Sequence, residues 1–266
     1  MLIGDVYFCF TAYKDLEQQE PGDTLIHTFT LSPFPAGDTR YFYFHGEVAG
    51  IPSPSTSCIF GRSLFFTPDY FSVSVTHEWD ECQKIGTSFR TCCPACTQQV
   101  MVGRHQTPGE QVCSAFIFRG LPLPLCAEVT SAFIKFTATS DRIKVQVRSY
   151  IAVQADHNPP SWHCEPEANF FTRRANCIAS TAWDEIEKWY EDQVYYSPDI
   201  KALLQALINQ PTWQPYQNAS FFWEDCAQRS DWKPLNERIA YSFYRVPLKA
   251  PELSVHYNHW KVKEVT

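Results

Sequence analysis

Ser197-Pro198-Asp199-Ile200-Lys201-Ala202-Leu203-Leu204-Gln205-Ala206-Leu207-Ile208-Asn209-Gln210-Pro211-Thr212-Trp213 is the stretch on which the fold turns. Ser197 suits an N-cap, Pro198 fits the first helical position, and Asp199 sets a carboxylate against the positive end of the helix dipole. Ile200, Leu203, Leu204, Leu207 and Ile208 recur at helical spacing and make one apolar stripe. Pro211 lacks the amide hydrogen that a further turn needs, so the pattern predicts one amphipathic helix over 197–210. Nearly everything around it reads as strand. A lone amphipathic helix must cover an apolar surface, and here that surface is the face or open end of a β-sandwich.

Composition agrees with a β protein. Aromatic residues make up 15% of the 266-residue chain and charged residues only 19%. Flat rings pack well across strands. The formal net charge of −7 argues against a nucleic-acid-binding surface, which needs clustered Lys and Arg. No apolar run approaches the ~20 residues of a membrane-spanning helix, and Met1 to Phe10 reads as a first strand rather than a signal peptide.

Beyond the helix, Phe221-Phe222-Trp223 is a compact apolar strand, Arg238 to Phe243 another and Ala250 to Tyr257 a closing one. Upstream, Ser114 to Pro124 and Glu128 to Phe136 are two further apolar strands around a turn. In order, these motifs are helix, Asn-x-Pro-x-Trp, short strand, Arg-x-Ala-Tyr-Ser and Ala-Pro-x-Leu-x-Val-x-Tyr. The series resembles the DNRLRE-like or carbohydrate-binding-module-like jelly rolls of bacterial extracellular and phage structural proteins, over roughly residues 97–260. Cys126-Ala127 departs from the Gly-Ala usual in that turn. The resemblance implies a jelly roll, packs Trp213 against the sandwich, and brings no catalytic residues.

The expected architecture is all-β, with two sandwich-like units: 1–90 as an N-terminal docking domain, and 91–266 as a jelly roll carrying the helix. In the first unit, 5–10, 24–31, 39–48 and 70–77 have strand character. The cysteine-rich segment 81–97 is the expected junction. In the second unit, 142–150 alternates as a strand with one face in water. Trp183, Ile186, Trp189 and Tyr190 fit a short helix, whereas the resemblance implies a strand end and loop. The expectation for 181–193 is a loop with one helical turn.

Several residue groups are candidates for chemistry. Cys93-Pro94-Ala95-Cys96 has the two-residue gap that lets both thiolates reach one zinc, with Cys82, His105 and Cys113 as further ligands. A disulfide clasp or buried thiols are the competing readings. Asp80-Glu81, Asp184-Glu185-x-Glu187, Glu191-Asp192 and Glu224-Asp225 would need to face one substrate to work as glycosidase acids, and otherwise read as solvated loops or as ligands of a structural calcium. Trp162 and Trp232, in polar loops, are the candidate glycan contacts. Neither a Gly-x-Ser-x-Gly elbow nor a phosphate loop is present.

The functional expectation is a non-enzymatic virion protein of a phage tail, baseplate, fibre or capsid decoration. Its partners would be other virion proteins and copies of itself, without nucleic acid or membrane insertion and with no required cofactor. An extracellular carbohydrate-binding module, with host polysaccharide as partner, is the alternative.

Overall fold

The computed structural model describes residues 39–42, 62–90, 99–105, 110–125, 127–143, 147–225, 230 and 235–264. Its strands are β1 (Thr39–Phe42), β2 (Arg62–Ser74), β3 (Glu81–Ile85), β4 (Ser88–Arg90), β5 (Gln99–Arg104), β6 (Gln111–Leu121) and β7 (Glu128–Thr137). β8 (Val147–Gln154), β9 (Cys177–Ile186), β10 (Val194–Tyr196), β11 (Gln217–Glu224), β12 (Asn236–Tyr241) and β13 (Glu252–Glu264) complete the set. Two α-helices are described, α1 (Glu167–Ala175) and α2 (Lys201–Ile208). No helix among the described residues is long and apolar enough to cross a membrane.

The strands form two antiparallel sheets. The first runs β1-β2-β13-β7-β10; the second runs β12-β5-β6-β11-β8-β9, with β3 and β4 attached through β6. The blocks β2-β13-β7-β10 and β6-β11-β8-β9 contain the order of an eight-stranded jelly roll. Numbered along the chain, those eight strands fall as 1-8-3-6 in one sheet and 2-7-4-5 in the other. The all-β expectation holds, but the jelly-roll order takes its first strand, β2, from outside the expected 91–266 unit.

Sheet pairing crosses the expected boundary at residue 90. β2 pairs with β13 from Arg62↔Glu264 to Ser74↔Glu252, and β3 pairs with β6 from Glu81↔Phe116 to Ile85↔Val112. Residues 62–90 therefore lend strands to both sheets. The earlier expected strands, 5–10 and 24–31, and most of 39–48 lie outside the described residues.

Alternation explains the layers. In β13, Leu253, Val255 and Tyr257 are buried while Ser254 is half-buried and His256 exposed, the period-two signature of a strand with one face in the core. Phe116, Phe118, Phe136, Trp183, Phe221 and Trp223 fill the space between the sheets. Phe136 of the first sheet stacks on Trp223 of the second, with ring centroids 4.6 Å apart.

β6 is different, because it is buried without interruption from Val112 to Phe118. Its outer side faces a third layer made by Trp162 and the Phe170 face of α1. Apolar periodicity does not mark α1. Only Phe170 and Arg173 of that helix are buried, so it shows no apolar stripe of several turns.

The helix on which the fold turns starts later than its caps imply. Ser197 and Asp199 complete the edge of β7 instead of capping the helix from the expected positions. Ile134 N donates to Ser197 Oγ at 2.9 Å, and Ala132 N donates to Asp199 Oδ1 at 3.0 Å. Ser197 N and Ile200 N donate in turn to the carbonyls of Ile134 and Ala132. Asp199 also accepts from Lys201 N, so part of its capping role survives. The stripe Leu203, Leu204, Leu207 and Ile208 is buried as expected, and Trp213 Nε1 donates to Leu123 O inside the core. The segment 181–193 is corrected: β9 continues to Ile186, and Trp183 points inward.

Candidate functional site

Charged side chains gather at one end of the sandwich, where β5, β11 and β12 terminate. Glu237 of β12 is wholly buried, with its carboxylate between His105 Nδ1 at 2.9 Å and Arg142 Nε at 3.3 Å. Arg104, at the end of β5, meets Asp225 at 3.4 Å, and Ser230 N donates to both carboxylate oxygens. Arg238 reaches across the end and donates to the carbonyls of Ile186 (3.0 Å), the last residue of β9, and Glu187 (2.7 Å), just past it. Burial lowers its pKa to about 10, against the opposing pull of Glu187.

This end is closed. Ala138 bridges to Ala240, and Arg142 to Trp189, so the segment after β7 joins β12 to the chain beyond β9. Gly103 enables the tight packing: its φ is +114°, and a Cβ there would lie 2.4 Å from the Asn236 carbonyl oxygen. Buried charges that are paired and hydrogen-bonded fix geometry more than they add stability. Here they fasten strand ends together.

The other acidic residues are separated in the same way. Asp80 accepts from Arg119 through both oxygens, one bond being 2.6 Å from Nε. Glu224 meets Arg174, and Asp192 meets Lys249 at 2.6 Å. Glu81 is buried, with Oε2 accepting from Phe243 N at 2.9 Å. Asp80, Glu81, Asp192 and Glu224 thus each have a separate partner.

Trp162 is not the exposed aromatic expected of a glycan contact. It is 0% exposed, since the Pro-rich loop that carries it folds under α1. Phe170 and Phe222 press on its ring, and the Arg173 guanidinium lies 3.4 Å from the ring centroid. Arg173 is held there by bonds to Gln154 Oε1 and Pro160 O, both 3.1 Å. Trp232 lies outside the described residues.

Of the five expected zinc ligands, Cys93 and Cys96 lie outside the described residues. Cys82 and Cys113 sit on one face of the β3–β6 pair, with Cys82 opposite Ala115 and Cys113 opposite Lys84. Both are buried under α1, and burial pushes the Cys113 thiol up to about 12 and raises that of Cys82. Neutral thiols are poor metal ligands. His105 is turned to Glu237 instead. No group of three or more potential ligands is found among the described residues.

A surface that sequence reading passed over lies at the edge of the first sheet. Val194 and Tyr196 are exposed on β10, and Leu248 stands 97% exposed on the turn before β13. No period or motif marks them, because exposure of single apolar residues is ordinary and only their placement groups them.

No family model matches the chain, and no curated protein matches it. Among solved structures, the chain is similar to a protein of mud crab tombus-like virus, at 10% identity and TM-score 0.28, covering 76% of this chain and 92% of that one. A second likeness is to a virus-like particle of the nodavirus of the giant freshwater prawn Macrobrachium rosenbergii, at 7% identity and TM-score 0.28, covering 76% and 97%. Likenesses this slight leave the class of the protein to its own strand order, that of a jelly roll.

Proposed function

We propose that the chain is a non-enzymatic structural protein of a virus particle, assembling with copies of itself and with other particle proteins. The observation that carries this reading is the jelly-roll strand order around a filled aromatic interior. That order recurs in viral capsid and lectin domains, and the link from fold to role is one of analogy. A second feature agrees with an assembling subunit. β7 pairs with β13 only from Glu252 to Asn258, whereas β2 follows β13 to Glu264 and β1 continues beside β2. The strands β1, β2 and β13 thus extend past the last residue paired to β7 as a ribbon of about 20 Å, at ~3.4 Å per residue. A strand ribbon reaching beyond a packed body is suited to contact a neighbour.

Within the particle, the jelly roll and ribbon favour a capsid shell or capsid decoration position. The tail, baseplate and fibre positions implied by the family resemblance are the competing placements. The test is assembly of the purified full-length chain at rising concentration and ionic strength, followed by sedimentation velocity and electron microscopy. Rings, shells or regular oligomers are expected. A chain that stays monomeric and binds a polysaccharide array overturns the reading in favour of a carbohydrate-binding module.

A further inference from the structure

β10 is the last strand of the first sheet, and no strand pairs with its outer edge among the described residues. Its neighbourhood is set by register. Val194 lies opposite Thr137 and Tyr196 opposite Lys135, and Lys135 lies opposite Glu252 at the start of β13. The turn that leads into β13 therefore runs beside the same end of the sheet. Lys249 of that turn is bonded to Asp192 Oδ1, and Tyr241 OH donates to the same oxygen at 3.0 Å. These bonds bring the 190–193 loop and the 243–249 turn side by side.

Five large side chains are exposed in this zone: Tyr190, Val194, Tyr196, Tyr244 and Leu248. Exposed apolar residues are unremarkable one at a time, but grouped around a sheet edge they mark a surface that is covered in the working assembly. The charges at its margin have both signs. Arg245 and Lys249 lie over the Tyr241 ring, at 5.3 and 4.7 Å from its centroid, while Glu191 and Asp192 belong to the facing loop. A patch with one sign of charge would select a partner of the other sign. An apolar centre bordered by a balanced pair of cations and anions is complementary to itself, as a two-fold contact requires.

We propose that the β10 edge and the 243–249 turn form a contact between two copies of this chain. The inference rests on the reading of the protein as an assembling virion subunit and names the surface by which it assembles. Leu248, held away from the body by a turn that is pinned at Lys249, enters the partner's surface between β10 and the 190–193 loop. The two Lys249–Asp192 pairs flank the axis.

The test compares full-length wild type with Leu248→Asp and Tyr196→Lys by sedimentation velocity over a range of concentrations. A third sample carries a benzophenone amino acid at position 248 for photo-crosslinking. At least a tenfold weakening of self-association is expected in both variants, with unchanged melting curves because both side chains lie outside the core. The cross-link is expected at residues 190–196 of the second copy. Variants that associate as tightly as wild type, or a cross-link elsewhere, overturn the contact while particle assembly by the wild type leaves the virion reading standing. A wild type that never associates overturns both.

Discussion

Asp80 and Glu81 are adjacent carboxyl groups with different fates. Arg119 neutralises Asp80, whereas Glu81 is enclosed with one hydrogen bond, and Oε1 has no partner. Burial holds the Glu81 pKa well above its ordinary value, opposed by the Phe243 amide and reinforced by Asp80. The folded chain therefore keeps this proton to a higher pH than the unfolded chain does. Stability from Glu81 is complete below the ordinary carboxylate range. It declines as pH climbs through that range towards the raised folded value. Replacing Glu81 with Gln is expected to flatten the pH dependence of the urea midpoint above about pH 4.3 and to leave it near wild type below that. Identical slopes in the two proteins would refute this.

At the scale of elements, the sequence marked the helix that matters and missed the one that hides. The stripe of α2 repeats over two turns, which is why it could be recognised. Its two polar N-terminal residues, Ser197 and Asp199, have a second task that only the neighbouring β7 edge reveals. α1 offered a weaker signal: Glu167 in its first turn and Arg173 and Arg174 in its last match the helix dipole. That charge order was the clue available. The end of β9 has helical spacing because a bulge between Trp183 and Ile186 turns both inward: Trp183 pairs with Ser149 and Ile186 with Val147. The α1 layer is expected to be stabilising. Trp162→Ala removes the ring that Arg173, Phe170 and Phe222 enclose and should cost about 3–5 kcal/mol in urea unfolding. A loss below about 1 kcal/mol would mean that the layer contributes little.

For the whole molecule, composition and alternation were enough to read an all-β sandwich, since buried faces repeat every second residue. Long-range pairing was not readable. Nothing local in Arg62–Ser74 indicates that its partner lies at Glu252–Glu264, so a chain division near residue 90 looked natural. The charged end of the sandwich was equally hidden, because Arg104, Asp225 and Glu237 are far apart in sequence and meet only once the sheets close. On the proposed reading, the β1–β2–β13 ribbon serves assembly rather than the folding of the body. Ending the chain after Trp260 is expected to leave the melting temperature of the body within a few degrees of wild type, as about 1 kcal/mol shifts it by ~2–4 °C in a domain this size. The same truncation should weaken the self-association expected of the full-length chain in sedimentation velocity. Normal assembly by the shortened chain would argue against the ribbon.

The aromatic pile between the sheets has an optical consequence. Trp183 and Trp223 lie 5.7 Å apart, and Trp189 is 5.8 Å from Trp223. Indoles this close share their electronic excitation, and the resulting exciton couplet depends on their fixed mutual angles. Because those indoles come from β9, β11 and the loop between β9 and β10, the molecule carries an internal spectroscopic gauge of whether these segments are seated, without any added label.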